Sequence, residues 1–230
     1  MSILYIIATP IGNLQDISAR AIDTLRSVDL ILCEDTRITK KLLDHYGIEK
    51  PTLSYHEHSR LKKIEYIIEL LKQGKNLALV SDAGTPGISD PGNKLIKEII
   101  GVGLPLNIVP IPGVSAVTAV ASVSGFATDR FVFMGFPPVK KKRKKFFEEV
   151  FNSKYPVIFY ESPYRIIKTL SELQSLVISH KSSVNLVVCR EMTKKFETIY
   201  RGTIEEVIKQ IEKDIIKGEF VVIVDKGLKR

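Results

Sequence analysis

An apolar run that passes directly into a loop of Gly, Pro and Asp constrains the fold most strongly; the run is residues 77–80 and the loop ends near residue 92. Short apolar runs of this kind are typical of buried parallel strands. Glycines allow positive φ and close approach to a ligand, and prolines stiffen the turns. Asp82 follows the run where open α/β sheets bind ligands, at the carboxyl end of the strand. With a helix predicted from Asn93 onward, the stretch indicates a ligand-binding unit; an ordinary strand–helix turn is the alternative.

Apolar strands alternate with amphipathic helices through the first half of the chain. The predicted strands are residues 3–8, 30–33, 53–55, 77–80 and 106–109. This order indicates right-handed crossovers and a parallel sheet, and it gathers the loops at one edge. One helix is predicted to begin near Thr39. A second predicted helix has Leu61, Ile64, Ile68 and Leu71 on its buried face. A third has Leu95, Ile96, Ile99 and Ile100 on one face.

The second half predicts another α/β domain with a mixed sheet. Its predicted strands are residues 130–134, 156–160, 185–189, 197–201 and 220–224. Residues 197–201 alternate between apolar and polar side chains, which indicates a strand antiparallel to its neighbours. The predicted class is therefore α/β with two domains, residues 1–118 and residues 119–230.

The positive charge of the chain is concentrated in one place. The net charge is +8, and the run KKKRKK at residues 140–145 supplies six positive charges. A local basic block suits a polyanion such as nucleic acid, although a solvated loop is the simpler alternative. No run of 18 or more apolar residues and no secretory leader is present, so a cytoplasmic protein is expected. Cys33 and Cys189 lie far apart in sequence and are predicted to be buried thiols.

Several common sites are disfavoured by missing motifs. Neither GxGxxG after the first strand nor GxxxxGK[ST] occurs, which argues against a nicotinamide Rossmann site and a P-loop. His56 and His58 form an HxH pair without nearby cysteines, so no metal site is predicted. The rigid loops instead suit a compact polar cofactor whose own atoms carry the chemistry.

Six segments carry a resemblance to a known family. They are ATPIGNL at 8–14, CEDTR at 33–37, VSDAGTPGISDPG at 80–92, IPGVSA at 111–116, YESP at 160–163 and REMTKKFE at 190–197. In this order they resemble motifs of the tetrapyrrole methylase superfamily. The last one is similar to a segment of those members that methylate small-subunit ribosomal RNA, with Met192 in place of Leu.

The resemblance implies a fold, a cofactor and a substrate. It implies two α/β domains with S-adenosylmethionine in the cleft between them, and a homodimer. The implied reaction transfers a methyl group to the ribose 2′-oxygen of a cytidine in the decoding centre of 16S rRNA. The implied cofactor contacts are Pro10, Asp82, Gly84, Thr85, Ile88, Ser115, Ala116, Tyr160 and Arg190.

Methyl transfer is an in-line displacement in which the protein mainly positions the two reactants. Because a ribose hydroxyl is a weak nucleophile, a general base or strong hydrogen-bond acceptor would help. Glu191 is the preferred candidate, with Asp35 and Glu161 as further candidates at strand ends; salt bridges are the alternative role for each. The predicted RNA contacts are Arg37, Lys140, Lys141, Lys142, Arg143, Lys144, Lys145 and Lys194.

Two other functions remain open at this point. A methylase of the same fold could act on a porphyrinoid, but the basic block and the absence of Trp argue against that substrate. A non-enzymatic RNA-binding module would leave the rigid loops unexplained, and the aromatic pattern of an RNP motif is missing.

Overall fold

The structure, a computed structural model, describes residues 2–56, 61–90 and 92–227. The chain divides into two compact units, Met1–Ser115 and Ala116–Arg230. Each unit contains a five-stranded sheet with helices packed on it. His58 of the HxH pair lies outside the described residues.

The first unit is built on a parallel sheet, as the alternating pattern predicts. Every pairing between its described strands is parallel, and the strand order is β3-β2-β4-β1-β5. Its strands are β1 Ile3–Ile7, β2 Leu30–Cys33, β3 Thr52–Ser54, β4 Leu77–Leu79 and β5 Asn107–Ile111. Its helices are α1 Ala19–Ser27, α2 Thr36–His45, α3 Leu61–Lys72 and α4 Gly92–Gly101, with a 3-10 turn at Leu14–Asp16.

Strand β4 shows why apolar runs mark this sheet. Leu77 and Leu79 belong to one core cluster, and Ala78 and Val80 belong to another. Alternate side chains point to opposite faces of a strand, so a sheet covered by helices on both faces needs apolar residues at every position.

Three details of the predicted helices are wrong. Helix α2 begins at Thr36 rather than near Thr39, because the side chain of Asp35 caps its first turn. Leu61 is the first residue of α3 and is 69% exposed, beyond the end of the buried stripe. Ile100 is 64% exposed, because the buried residues of α4 follow the line of Leu95 and Ile99.

The second unit has a mixed sheet, which confirms that part of the predicted class. Its strand order is β6-β7-β10-β8-β9, in which β6 and β7 are parallel and the other pairs are antiparallel. Its strands are β6 Val132–Phe133, β7 Val157–Glu161, β8 Asn185–Arg190, β9 Thr198–Thr203 and β10 Phe220–Asp225. Its helices are α5 Ala116–Ser124, α6 Arg143–Asn152, α7 Ile166–Ser179 and α8 Ile204–Glu212.

Aromatic packing anchors the core of the second unit. The rings of Phe146 and Phe147 of α6 lie edge-on to each other and to Phe159 of β7, with centroids 5.4 to 6.5 Å apart. Cys33 and Cys189 are both buried and free, as predicted. Among the described helices, none has the length and apolar character needed to cross a membrane.

Candidate functional site

Three loops of the first unit are joined at the carboxyl ends of β1, β4 and β5. The backbone of Thr9 exchanges two hydrogen bonds with Gly84, of 2.9 and 3.0 Å. The Thr85 hydroxyl donates to the carbonyl oxygen of Val114 at 3.1 Å. Thr9 also donates its hydroxyl to the Ser81 carbonyl oxygen at 3.0 Å. The loops after these strands therefore hold one another in place.

Glycine is required where these loops meet. Gly84 has φ +82, and a Cβ built on it would lie 3.5 Å from Ile11 Cγ2 and 3.8 Å from the Val114 oxygen. Both distances are ordinary van der Waals contacts, so the positive φ, rather than crowding, is what favours glycine at position 84. A Cβ on Gly113 would approach the Cβ of Ala8 to 3.0 Å.

The end of the long loop is closed by one carboxylate. Oδ1 of Asp90 accepts hydrogen bonds from the backbone N–H of Gly87 at 2.7 Å and of Gly92 at 2.8 Å. A Cβ on Gly92 would lie 2.9 Å from the Gly87 nitrogen. The small residues thus permit a tight loop directly before α4.

Negative charge is concentrated at this edge. Oδ1 of Asp82 accepts the backbone N–H of Asp35 at 3.0 Å, which links the loops after β4 and β2. Burial raises the pKa of Asp82, and the nearby Asp35 carboxylate adds to the rise. Burial also raises the pKa of Glu34, with contributions from Asp82 and Asp90.

Asp35 caps α2 and pairs with Arg37. Its carboxylate accepts hydrogen bonds from the Arg37 side chain and from the Arg37 backbone N–H at 2.8 Å. These bonds lower the pKa of Asp35 to about 2. Arg37 itself is largely exposed, so its guanidinium can also face a ligand in solvent.

The lowered pKa of Asp35 predicts an acid-sensitive contribution to stability. Because the folded-state pKa lies below the usual 3.8, this contribution is complete above about pH 4 and is lost as pH falls toward 2. Asp35→Asn is expected to keep the helix cap and to lose the ion pair. The variant should therefore show a shallower loss of unfolding free energy between pH 4 and pH 2, measured by urea denaturation. Equal slopes in the variant and the wild type would contradict this assignment.

The cofactor residues predicted in the first unit all lie on these joined loops. Pro10 and Gly84 are buried, and Asp82, Thr85 and Ser115 are half-buried. Ile88 is 45% exposed. Ala116, the first residue of α5, is half-buried.

Glu191 lies in a turn directly after β8. It has φ +51, and its Oε1 accepts hydrogen bonds from Lys194 Nζ and from the Glu219 backbone N–H, both at 2.9 Å. Although burial alone would raise it, these bonds lower the pKa of Glu191. Glu191 is therefore a stable carboxylate and a weaker base than the sequence suggested. The Nζ of Lys194 also contacts Glu219 at 2.9 Å, so two carboxylates already share its charge.

Arg190 has a structural role. Its guanidinium pairs with Asp214 at 3.2 Å and donates to carbonyl oxygens of Ile215 and Phe196. The side chain is buried, and its Nε has no partner within the described parts of the chain. The prediction that Arg190 contacts the cofactor is therefore not supported for the guanidinium, which faces its own unit.

Glu161 is also committed to the interior of its unit. Its side chain is fully buried; it pairs with Arg165 at 2.8 Å and accepts the Thr169 hydroxyl at 2.6 Å. One guanidinium nitrogen of Arg143 lies 4.0 Å away. Because the carboxylate is buried and both of its oxygens have partners, the structure argues against the prediction of Glu161 as a general base.

Arg143 is buried, in contrast to the lysines on either side of it. Although it stands inside the KKKRKK run, only 7% of it is exposed. Its guanidinium donates to Glu172 at 2.7 Å, to Thr169 at 2.6 Å and to the Pro138 carbonyl oxygen at 3.1 Å. The structure therefore argues against the RNA contact predicted for Arg143. The five lysines around it are exposed, namely Lys140, Lys141, Lys142, Lys144 and Lys145.

Sequence reasoning missed three residues of this region. Arg165 and Thr169 hold Glu161, and Tyr164 between the strand and α7 is 95% exposed. The spacing of four from Glu161 to Arg165 is the available signal for the ion pair.

Tyr160, a predicted cofactor contact, lies near Phe133 and Phe136, with ring centroids 5.0 and 5.3 Å away. Across the described residues, no group of three or more His, Cys, Asp and Glu could hold a metal ion.

The fold and these loops define a methylase family. Residues 3–208 match the tetrapyrrole (corrin/porphyrin) methylases, and the chain belongs to that family. Ribosomal RNA small subunit methyltransferase I of Bacillus subtilis is 47% identical over 98% of this chain and 75% of that protein. The protein of the same name from Thermotoga maritima is 44% identical over 97% of this chain and 98% of that protein.

Solved structures with the same fold are more distant in sequence. Diphthine synthase superposes with a TM-score of 0.73 at 14% identity, over 100% of this chain and 92% of that one. A cobalt precorrin-4 methyltransferase of cobalamin biosynthesis gives 0.70 at 18% identity, over 99% of this chain and 96% of that one. These similarities confirm the α/β methyltransferase fold.

Proposed function

We propose that this chain methylates small-subunit ribosomal RNA, using S-adenosylmethionine as donor, at the 2′-oxygen of a cytidine ribose in the decoding centre. The observation that carries the proposal is the similarity to proteins named ribosomal RNA small subunit methyltransferase I, which extends over nearly the whole chain. The choice of the ribose oxygen and of a decoding-centre cytidine rests on the motif resemblance.

The joined loops of the first unit fit such a donor. They meet around Gly84, whose backbone carries no side chain to keep a ligand away, and Asp82 and Glu34 place negative charge at the same edge. Negative charge suits a cationic ligand, and close backbone approach suits a compact one. When bound, S-adenosylmethionine supplies an electrophilic methyl group on its sulfonium sulfur. Asp82, Gly84, Thr85 and Ser115 would hold it from this unit.

The protein's part in the proposed reaction is to orient the ribose and to accept a hydrogen bond from its 2′-hydroxyl, whose proton passes to solvent when the oxygen is methylated. Of the three predicted bases, Glu161 is buried in an ion-pair network, which leaves Glu191 and Asp35 as carboxylates on loops. Glu191 remains the proposed acceptor, with Lys194 holding its carboxylate in place at 2.9 Å. Because its pKa is lowered, it acts as a hydrogen-bond acceptor more than as a strong base.

The exposed lysines are proposed to bind RNA phosphates. Replacing Lys140, Lys141, Lys142, Lys144 and Lys145 by Ala, while keeping Arg143, should weaken binding of 16S rRNA. The slope of log affinity against log salt should fall by roughly 0.7 for each lysine that contacts a phosphate of a single strand. Filter binding at several salt concentrations measures both effects, and calorimetry with S-adenosylmethionine should show an unchanged cofactor affinity. An unchanged RNA affinity would reject this surface.

A comparison of strains tests the proposed substrate. Ribose methylation of 16S rRNA, mapped in a strain lacking the protein and in its parent, should differ at one cytidine. Complete methylation in both strains would contradict the proposal and would favour a small-molecule substrate.

A further inference from the structure

Two exposed aromatic side chains of the second unit lie on segments that hydrogen bonds connect to the basic block. Tyr164 is 95% exposed and Phe136 is 54% exposed. A single exposed aromatic ring is common on protein surfaces, so its position beside positively charged residues is the informative feature here. Tyr164 occupies the turn between β7 and α7, and Phe136 precedes the segment Pro137 and Pro138.

Two arginines bring the turn and the basic block to the same segment. Arg165, the neighbour of Tyr164, donates to the Pro137 carbonyl oxygen at 3.2 Å. Arg143, in the middle of the lysines, donates to the Pro138 carbonyl oxygen at 3.1 Å. Because the two carbonyls are adjacent, Tyr164 and the lysines flank one short segment of backbone.

The turn that carries Tyr164 is held firmly. The Arg165 backbone N–H donates to the Ser162 oxygen at 3.1 Å, and the Arg165 guanidinium pairs with buried Glu161 at 2.8 Å. Glu161 in turn accepts the Thr169 hydroxyl, which itself accepts a hydrogen bond from Arg143 at 2.6 Å. One buried network therefore fixes the turn and the start of α6 together, which reduces the conformational entropy lost on binding.

We propose that Tyr164 is a stacking platform for an unpaired base of the RNA substrate, with the neighbouring lysines of residues 140–145 binding the phosphates beside it. A positively charged surface with an exposed aromatic ring is the combination that binds single-stranded nucleic acid. RNA loops are recognised in this way because their bases are unstacked and accessible. The proposal rests on the proposed function, since it deepens the description of how the RNA is held.

Tyr164→Ala and Tyr164→Phe test this stacking site. Tyr66→Ala is a matched control, because Tyr66 is 54% exposed on α3 of the first unit. The probe is a 16S rRNA fragment that contains the decoding region. Filter binding at several salt concentrations gives its affinity and salt slope, and calorimetry gives the affinity for S-adenosylmethionine.

Tyr164→Ala is expected to lower RNA affinity about 5- to 140-fold, which is the range for loss of one stacked base. The salt slope should stay at the wild-type value, because stacking releases no counterions. Tyr164→Phe and Tyr66→Ala should bind as the wild type does, with cofactor affinity unchanged in all variants.

Three results would overturn the stacking site while leaving the rRNA substrate intact. They are wild-type affinity in Tyr164→Ala, an equal loss in Tyr66→Ala, and a change confined to self-association in sedimentation, which would assign the ring to a second copy of the chain. A wild-type protein that binds no rRNA would instead overturn the proposed function and this inference together.

Discussion

Glu161→Ala is expected to lower the free energy of unfolding by about 3–5 kcal/mol, as is found when one partner of a buried ion pair is removed. The Glu161 side chain is fully buried and pairs with Arg165 at 2.8 Å. Removing it would leave the buried Arg143 and the Thr169 hydroxyl without their shared carboxylate. Chemical denaturation followed by circular dichroism would measure the loss.

Glu148→Ala is the matched control for this variant. Glu148 forms an exposed pair with Lys144 at 3.9 Å, and such pairs contribute about 0–1 kcal/mol. Glu161→Gln should fall between the two variants, because the amide keeps the shape and loses the charge. A loss in Glu161→Ala no larger than that in Glu148→Ala would show that the network adds little to stability.

Gly84→Ala is expected to lower the affinity for S-adenosylmethionine at least about tenfold, equivalent to about 1.4 kcal/mol. The new Cβ would lie in van der Waals contact with the loop after β1, at 3.5 Å from Ile11 Cγ2, where the joined loops meet. At φ +82, alanine would also be strained by about 1–2 kcal/mol, which would disturb the paired backbone of Thr9. Isothermal calorimetry would measure the affinity.

Gly74→Ala is the control that separates the effect of backbone strain from an effect on the cofactor site. Gly74 has φ +84, close to that of Gly84, and a Cβ there would meet nothing within 4 Å. Both variants should therefore lose similar stability, but only Gly84→Ala should lose cofactor affinity. If both variants bind S-adenosylmethionine as the wild type does, these loops do not hold the cofactor.

The sequence predicts most of the fold, because hydrophobic periodicity and the Gly and Pro residues that end helices and strands are local signals. Strand β2 (Leu30–Cys33) has the predicted bounds, and helix α3 (Leu61–Lys72) buries three of the four residues predicted to face inward. Strands covered by helices on both faces were predicted from runs in which every residue is apolar, and their ends were predicted from Gly and Pro. The exposed first residue of α3 was missed, because periodicity assigns a direction on the helix but not where the buried stripe ends.

The role of Arg143 could not be predicted from the run of positive charge alone. Six consecutive basic residues suggest one solvated surface, yet Arg143 lies three, four and seven residues before Phe146, Phe147 and Val150 on the buried face of α6. That helical spacing could have predicted that Arg143 is buried. The partners of Arg143 could not be predicted, because Glu161 and Thr169 come from β7 and the following helix. Only the tertiary fold brings them to 4.0 and 2.6 Å from the Arg143 guanidinium.

The candidate bases show a similar limit. All three follow strands or end them, and that position alone suggested function. Only the hydrogen bonds separate their roles: Asp35 caps a helix, Glu161 is enclosed, and Glu191 remains on a loop beside Lys194. Partners of this kind depend on residues distant in sequence, such as Glu219 for Glu191.

Transfer of a radiolabelled methyl group tests the central claim most directly. The purified protein would be incubated with methyl-labelled S-adenosylmethionine and small ribosomal subunits from a strain lacking it, and the RNA would then be hydrolysed in alkali. We predict label in one alkali-resistant dinucleotide that begins with cytidine, because a 2′-O-methyl group blocks cleavage at that ribose. Label in an ordinary mononucleotide, or no label in the RNA, would contradict the account.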